Sequence, residues 1–431
     1  MKKNTYKIYT LGCKVNQYDS EKLSDRLNVA GFSVAEKNAD LAIVNTCAVT
    51  QTSMAKSRQT AGKAKKENPG AKIAILGCWS TIEHETQNTK HKTTVFAKNS
   101  RIPDLKADYI YGAGKHDEFI KRVVSDFKPE QSGDLRVEGC ESRDKSRYFI
   151  KIQDGCEQFC SYCIIPYARG RMKSRGEEEV LDEIKGAVKK GHEEIILSGI
   201  HLGLYGREAG NNLSGLLKKI LLIKNLGRAR LSSIEVNEVT DEIIGLLARK
   251  RKEGTVYICR HLHIPLQSGN DKILKLMNRP YDTAYFRSKV RKLRSLMPEI
   301  AITTDIITGF PGETEEDFKT TYDFVKEINF SRLHVFPFSA HERTPAARMK
   351  DPVGDETKKM RAEKLRRLGH KLAREYRDKF TGRKLPVAVG NVKNGRCLGK
   401  SEYYFDIELD LNKIKKNTRG DLTGKIITVK V

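Results

Sequence analysis

The first 127 residues alternate between short apolar segments and longer polar segments that favour helices. The apolar runs have the length of buried strands, and the polar segments between them have the length of crossover helices. Strands that alternate with helices are typical of an open parallel α/β sheet, which we predict for residues 1–127. The predicted strands are 6–11, 41–46 and 72–76, and the predicted helices are about 18–30, 51–67 and 80–90.

The central region repeats the strand–helix pattern six times. Its helix over 177–190 places Val180 and Ile184 on one apolar face, begins with glutamates and stops at Gly191. Six repeats are two fewer than a closed eightfold barrel needs, so we predict an open, partial (β/α)6 barrel over 142–370. Its predicted strands are 148–153, 194–198, 230–234, 261–265, 301–307 and 332–336.

A basic helix and a small β domain are predicted to complete the chain. The helix, about 355–379, carries leucines on one face and a largely basic remainder, which fits either a solvated connection or RNA contact. Short alternating strands separated by Gly and Asn then predict a small β-barrel, similar to the OB-like modules, over 373–431. These strands are 385–389, 403–409 and 425–431, and the polar segment 128–146 is interpreted as a linker.

The charge of the chain points to a partner rich in phosphates. Lys and Arg total 80 against 55 Asp and Glu, which gives a formal net charge of +25. Nucleic acid is such a partner, although a soluble basic protein with scattered lysines is the plainer alternative. No apolar run has the length of a membrane span, and the N-terminus lacks a signal-peptide pattern. We therefore expect a cytoplasmic protein without membrane association.

The nine cysteines favour metal or redox chemistry over a disulfide framework. Cys156, Cys160 and Cys163 lie within eight residues, directly after a predicted strand and an Asp-Gly turn. Three thiolates can hold three irons of a cubane cluster and leave the fourth iron open to a small-molecule ligand. The alternative is a structural zinc site completed by Cys140, which is disfavoured because zinc sites usually contain two close cysteine pairs.

Three further cysteines each follow one predicted strand of the N-terminal sheet. They are Cys13, Cys47 and Cys78. The carboxyl ends of parallel strands share one edge of a sheet, so these thiols should converge although they are distant in sequence. A single cysteine of this kind would fit a small buried core residue. Its threefold recurrence at the same topological position predicts a second iron–sulfur cluster.

The Cys156–Cys160–Cys163 spacing, with the aromatic Tyr162 before the last cysteine, resembles that of the radical S-adenosylmethionine (SAM) enzymes. The resemblance implies that the methionine end of SAM chelates the open iron of a 4Fe–4S cluster. One electron then cleaves SAM to a 5′-deoxyadenosyl radical, so the cofactor carries the demanding chemistry.

Taken together with the upstream cysteines and the C-terminal β domain, the triad resembles the radical SAM methylthiotransferases over essentially the whole chain. In that family the C-terminal domain is known as TRAM. The segments 11–21 and 45–50 resemble the enzymes that modify N6-threonylcarbamoyladenosine (t6A) in tRNA, and 263–269 and 308–314 also look like family signatures. Lys14-Val15-Asn16 stands where the prenyl-adenosine subgroup usually has Gln-Met-Asn and the ribosomal-protein subgroup Pro-Lys-Asn.

The implied reaction converts t6A at position 37, next to the anticodon, into its 2-methylthio derivative. It implies SAM, two 4Fe–4S clusters, a tRNA carrying t6A, and an electron donor and a sulfur donor of unknown identity. No catalytic side chain is assigned. The resemblance implies that SAM is contacted by Tyr162, Ser198, Gly199, Ser233, Glu235, His263 and Gln267. The alternative for each of them is a polar residue that only fills the barrel interior.

Basic residues after the triad and on the C-terminal helix are the expected RNA contacts, with a solvated basic surface as the alternative. They are Arg169, Arg171, Lys173, Arg175, Arg366 and Arg367. Other functions stay open at this point. The enzyme could act on prenylated adenosine or on a ribosomal protein, or the chain could be a non-enzymatic iron–sulfur or zinc RNA-binding factor, which predicts no SAM binding.

Overall fold

The computed structural model describes residues 4–85, 95–96, 106–129, 147–250, 254–391, 396–410 and 422–431. Packing divides the chain into two compact units. The first comprises Met1–Glu141, Asp154–Met172 and Ser339–Thr344, and the second comprises Ser142–Gln153, Lys173–Phe338 and Pro345–Val431. The loop of Cys156, Cys160 and Cys163 thus packs with the N-terminal region. The predicted domain limits 1–127, 142–370 and 373–431 stay a prediction.

The first unit contains a five-stranded parallel sheet in the order β2-β1-β3-β4-β7. Its strands are β1 (Thr5–Thr10), β2 (Ser33–Val34), β3 (Leu41–Thr46), β4 (Lys72–Gly77) and β7 (Tyr109–Gly112), and β5 (His84–Glu85) pairs separately with β6 (Val95–Phe96). Its helices are α1 (Lys14–Val29), α2 (Gln51–Glu67), α3 (Cys78–Glu83), α4 (His116–Phe127) and α5 (Ile165–Arg169).

The central strand β3 is buried along its whole length, because helices cover both faces of the sheet. Its residues alternate between two cores: Ala42 and Val44 pack with α2 and α3, and Leu41 and Ile43 pack with α1 and α4. Ile164, next to α5, joins the first of these cores. The loop that carries the cysteine triad is therefore anchored on the same side of the sheet as α2 and α3.

The second unit contains the predicted partial barrel. Parallel strands form one sheet in the order β13-β12-β11-β8 and another in the order β14-β15-β16, and a bridge between Ser233 and His263 links them. These strands are β8 (Tyr148–Lys151), β11 (Glu194–Ser198), β12 (Arg228–Leu231), β13 (Tyr257–Ile258), β14 (His261–His263), β15 (Ala301–Thr308) and β16 (Arg332–Pro337), and the chain also forms the short strands β9 (Gln153–Asp154) and β10 (Lys173–Ser174).

Helices follow the barrel strands in sequence. They are α6 (Glu177–Lys189), α7 (Leu213–Ile220), α8 (Asp241–Ala248), α9 (Asp271–Leu276), α10 (Thr283–Leu296), α11 (Glu315–Ile328) and α12 (Asp355–Asp378), with 3₁₀ turns at Leu202–Leu204, Arg207–Ala209, Val236–Glu238 and Pro345–Arg348. Several begin at side-chain caps. The Thr314 hydroxyl accepts the N–H of Asp317, whose carboxylate accepts the Thr314 N–H, so both orphan donors at the start of α11 are satisfied.

An antiparallel sheet in the order β19-β18-β17-β20 ends the chain, as the small β domain was predicted to do. Its strands are β17 (Lys384–Ala388), β18 (Arg396–Ser401), β19 (Asp406–Asp410) and β20 (Ile426–Lys430). The predicted fold class is therefore confirmed: an N-terminal parallel α/β domain, a partial barrel and a small β domain.

A buried ion network joins the C-terminal sheet to the barrel within the second unit. Glu194 of β11 accepts hydrogen bonds from Arg228 and Arg230 of β12, and all three side chains are fully buried. Arg228 also donates to the carbonyls of Pro386 and Lys400, both at 2.9 Å. Arg230 donates in the same way to two further carbonyls, of Ser401 and Glu402. One carboxylate thus fixes two arginines that hold the backbone of the C-terminal sheet.

Candidate metal centres and nucleic-acid interface

The three strand-end cysteines lie at one edge of the N-terminal sheet, as predicted. Cys47 and Cys78 directly follow β3 and β4, and Cys13 lies three residues after the end of β1; these strands are adjacent and parallel. Gly12 lies so close to Cys47 that a Cβ at Gly12 would be 3.0 Å from the Cys47 Sγ. Gly12 has a φ of +94°, which also favours glycine. The tight turn after β1 thus brings the first cysteine next to the second.

Asn16 and Ser57 hold the loops of this edge in place. The buried Asn16 amide donates to the carbonyls of Leu11 and Thr46, both at 2.8 Å, and so ties the end of β1 to the end of β3. The Ser57 hydroxyl accepts the Cys47 N–H at 3.1 Å and donates to the Cys47 carbonyl at 3.0 Å. A preorganised backbone of this kind is what a multi-thiolate metal site requires.

The second cysteine set lies on a compact loop. Gly155 has a φ of +75°, and a Cβ there would be 2.1 Å from the Arg171 carbonyl oxygen, so only glycine lets the two ends of the loop approach. The Cys156 N–H donates to the Gly170 carbonyl at 3.1 Å and closes the loop. Cys163 donates to the Cys160 carbonyl at 2.9 Å. Half-buried Tyr162 lies on this loop next to Cys163.

Arg169 lies at the strand-end cysteines and not on a solvated loop. Its side chain is 1% exposed and bonds both carboxylate oxygens of Asp154, at 2.7 and 2.8 Å. It also donates to Asn16 and lies 3.6 Å from the Asp19 carboxylate. The expectation that Arg169 contacts an RNA phosphate is corrected by this burial, because Asp154, Asp19 and Asn16 of the first unit enclose its guanidinium.

Arg169 also acts on the thiols. Burial raises the pKa of Cys78 to about 11, and the positive charge of Arg169 partly opposes that rise. The neighbouring Cys13 and Cys47 raise the same pKa further, since adjacent thiolates repel one another. Cys78 therefore favours its protonated form unless a cation is bound, and metal binding would release that proton.

Both cysteine sets fit iron–sulfur clusters by their donor chemistry. Each supplies three sulfur ligands, the number that leaves one iron of a cubane open. The strand-end set adds an observation of its own. Among the residues that the structure describes, none accepts a hydrogen bond from the buried Arg169 Nε–H. A buried donor without a protein acceptor fits a site whose acceptor is a bound anion.

Apart from Tyr162, the expected SAM residues lie at or just beyond the carboxyl ends of the barrel strands in the second unit. Ser198 is buried at the end of β11, and Gly199 follows it. A Cβ atom at Gly199 would lie 3.1 Å from the Gln153 side-chain oxygen. Ser233 and His263 are adjacent through their parallel bridge. Gln267 adopts a φ of +67°, and its N–H donates to the Asp305 carbonyl at 2.8 Å.

Two of these residues have partners that the sequence did not predict. Glu235 forms an ion pair with the buried Arg279, which competes with any ribose hydroxyl for that carboxylate. His263 lies 3.2 Å from one Asp305 oxygen, and His334 lies 3.1 Å from the other. Burial raises the pKa of Asp305, but hydrogen bonds from both imidazoles outweigh it and hold this pKa well below its usual range. Asp305 lies within the predicted strand 301–307, but nothing in the sequence singled it out.

The other expected RNA contacts divide by exposure. Arg171 and Lys173 are exposed, whereas Arg175 is held by Glu179 and, at 2.7 Å, by Glu183. Arg366 and Arg367 are exposed on α12, as expected.

A groove of about 500 Å³ lies between α12, β16 and the C-terminal domain, within the second unit. Basic and aromatic side chains line it, a combination suited to phosphates and unstacked bases. They include Arg332, Arg366, Arg374, Arg377, Tyr404 and Phe405.

Comparisons with known proteins agree with this architecture. Residues 150–325 match the Radical SAM superfamily, and residues 5–97 match a family described as "Uncharacterized protein family UPF0004". The solved structure of the radical SAM methyltransferase TsrM from Kitasatospora setae shares the fold, with a TM-score of 0.57 at 15% identity over 80% of this chain and 77% of that one. The fold and the cysteine triad therefore define a radical SAM enzyme, which uses SAM and a 4Fe–4S cluster.

The particular family follows from relatives that match almost end to end. The chain is 37% identical to the threonylcarbamoyladenosine tRNA methylthiotransferase MtaB of Bacillus subtilis, over 99% of this chain and 93% of the relative. It is also 37% identical to MtaB of Thermotoga maritima, over 95% and 92%. It is 35% identical to the tRNA-2-methylthio-N(6)-dimethylallyladenosine synthase of Carboxydothermus hydrogenoformans, over 100% and 97%. The chain belongs to the radical SAM tRNA methylthiotransferase family, and its resemblance to the MtaB members is confirmed.

Among the described residues, none of the helices combines the length and apolarity needed to cross a lipid bilayer.

Proposed function

We propose that this enzyme methylthiolates C2 of t6A at position 37 of tRNA. It would use a second 4Fe–4S cluster held by Cys13, Cys47 and Cys78, beside the cluster of Cys156, Cys160 and Cys163. The observation that carries the proposal is the placement of the three strand-end cysteines at one sheet edge, with the buried Arg169 beside them. Sulfur insertion at an unactivated C–H needs both a radical source and a sulfur source.

The bound groups would supply the radical and the sulfur, while the chain positions them and the substrate. Asn16 and Ser57 would fix the loops of the second cluster by the hydrogen bonds described above. Tyr162, Ser198, Gly199, Ser233, His263 and Gln267 remain the proposed SAM contacts. Glu235 joins them only if its pairing with Arg279 leaves one carboxylate oxygen available. An electron donor and a sulfur donor are required partners, and the cytoplasm is the proposed location.

The substrate is tested by nucleoside analysis. Purified enzyme is incubated without oxygen with SAM, a reductant and sulfide, together with anticodon stems that carry either t6A or prenylated adenosine. We expect 2-methylthio product from the t6A stem alone. Product from the prenylated stem alone would contradict the t6A assignment and favour the second candidate, which the 35% identical dimethylallyladenosine synthase supports. No product from either stem would contradict both candidate substrates.

The second cluster is tested by separating the two cysteine sets. Anaerobically reconstituted protein should contain about eight irons. Changing Cys13, Cys47 and Cys78 to Ala should leave about four irons and continued cleavage of SAM to 5′-deoxyadenosine, but no 2-methylthio product. The matched variant, in which Cys156, Cys160 and Cys163 become Ala, should also leave about four irons but should not cleave SAM. Product formed by the folded first variant, or zinc as the dominant metal, would refute the assignment.

We also propose that the basic groove of α12 binds the tRNA backbone, together with the exposed Arg171 and Lys173. Arg374→Gln removes one lining charge, so tRNA affinity should fall and the slope of log affinity against log salt should shrink by about 0.7–0.9. Lys371→Gln is the control, because Lys371 lies on the same helix and pairs with Glu375 outside the groove. Equal effects of the two changes would show that only overall charge matters.

A further inference from the structure

Arg169 combines three properties that are seldom found together: burial, two carboxylate partners and an unused donor. Asp154 binds its Nη1 and Asp19 approaches its Nη2, which also donates to Asn16. These contacts orient the plane of the guanidinium. The Nε–H is left without an acceptor among the described residues.

An unsatisfied buried donor costs about 1–3 kcal/mol, so folded proteins seldom leave one without a partner. Here the nearby groups are the thiols of the strand-end set. The Arg169 Nη2 donates to Asn16, whose amide ties together the ends of β1 and β3 next to Cys13 and Cys47, so the guanidinium lies at the edge that carries these cysteines. The site therefore presents a fixed positive charge and a free donor to the place where the cysteine sulfurs meet.

A cluster bound by three thiolates is anionic, and two properties of its surroundings set its reduction potential. These are the hydrogen bonds to its sulfurs and the net charge nearby. A positive charge favours the reduced cluster, which carries one more electron. Removing Arg169 would take away this positive charge and would leave the carboxylates of Asp19 and Asp154 beside the site without compensation. Both changes would disfavour the reduced cluster.

We infer that Arg169 is a positioning residue for the cluster of Cys13, Cys47 and Cys78, to which it donates its Nε–H and whose reduction potential it raises. Arg169 is the last residue of α5, the helix that follows the loop of the radical triad, and lies six residues after Cys163. The segment that holds one cluster therefore continues into the helix that supplies the cation of the other. This inference rests on the proposed second cluster, which the experiment tests separately.

The experiment is a redox titration of the reconstituted full-length protein, followed by electron paramagnetic resonance, with an iron count for each variant. Addition of SAM identifies the signal of the triad cluster, since SAM binds its open iron. The variants are Arg169→Gln, which removes the charge, and Arg169→Lys, which keeps it. Arg122→Gln is the control, because this exposed arginine on α4 in the same unit pairs with Asp126.

In Arg169→Gln we expect the SAM-insensitive cluster either to be lost or to have a lower potential. The reduced-to-oxidised ratio at a fixed potential should fall at least tenfold, which is 59 mV for a one-electron couple. Arg169→Lys should retain both clusters with a potential near that of the unaltered protein, and Arg122→Gln should change neither cluster.

Two outcomes would overturn the inference while leaving the second cluster established. In one, Arg169→Gln keeps about eight irons and both potentials unchanged. In the other, it loses both clusters and Arg169→Lys does not restore them, so that Arg169 serves only to fold the triad loop. If the unaltered protein binds only about four irons, the second cluster itself is refuted, and the inference with it.

Discussion

Replacing Glu194 with Gln should loosen the C-terminal sheet from the barrel. Burial alone raises the pKa of Glu194, but the charges of Arg228 and Arg230 outweigh it and lower this pKa to about 2. Gln is nearly the same shape as Glu and can still accept one hydrogen bond. It cannot compensate two buried guanidinium groups, which are the groups that hold the carbonyls of the C-terminal sheet.

The magnitude follows from the pKa. A shift from 4.5 to about 2 corresponds to about 3 kcal/mol at 1.36 kcal/mol per pKa unit. Removal of one member of a buried ion pair typically costs about 3–5 kcal/mol, which agrees. Because the folded pKa lies below the unfolded one, this stabilisation is complete above about pH 5 and is lost as the pH falls toward 2. Near pH 7 the substitution should therefore have its full effect.

Native-state hydrogen exchange of Lys384–Ala388 and Arg396–Ser401 measures the opening of this sheet. A loss of about 3 kcal/mol should speed exchange there by roughly 100-fold, at tenfold per 1.4 kcal/mol. Glu242→Gln is the control, since Glu242 of α8 in the same unit forms an exposed ion pair with Lys218, and exposed pairs contribute little to stability. Fluorescence of Trp79, in the first unit, should not change. Similar exchange rates in the two variants would show that the network does not hold the sheet.

Three further changes test other parts of the molecule. Gly12→Ala should reduce the iron content of the strand-end site, whereas Gly114→Ala, also at positive φ but with open space around it, should not; equal iron counts would contradict the close packing described above. Thr314→Ala should destabilise the barrel by about 1 kcal/mol in calorimetric unfolding through loss of the capping box, and no change would show that the cap is redundant. Asp305→Asn should reduce the loss of thermal stability that begins below about pH 5, because the folded pKa of Asp305 lies well below its unfolded value and its contribution falls steadily toward that folded pKa; an unchanged dependence of stability on acid pH would count against the imidazole contacts.

The strands of both predicted sheets could be located from the sequence because burial on two faces produces continuous apolar runs. Helix α2 was predicted over 51–67 and is found there, and Thr50 provides its cap. Strand β7 was missed because its apolar run, 109–111, is only three residues long and only its first residue is buried. Strand β18 was also missed. Its buried and exposed positions alternate, so it has no continuous apolar run, and its Gly399-Lys400 pair resembles a turn.

The cysteines of the candidate site could be predicted because their chemistry is specific and their positions follow strand ends. Arg169 was misassigned because a sequence shows charge but not burial. Its partner Asp19 is 150 residues away, and only folding brings the two together. The pairing of Asp305 with His334 depends in the same way on the register of β15 against β16. Long-range pairings of this kind have no local signature.

The packing of Asp154–Met172 and Ser339–Thr344 with the N-terminal unit has a consequence for synthesis of the chain. When the ribosome has made the first 127 residues, the sheet edge of Cys13 still lacks Arg169, and the core beside α3 still lacks Ile164. Ser339, which accepts the Gln51 N–H, is made last. At about 5–20 residues per second this segment follows roughly 10–40 s later. Cys13, Cys47 and Cys78 thus emerge well before Arg169 and Ser339 are made, so translation sets how long this sheet edge stays incomplete.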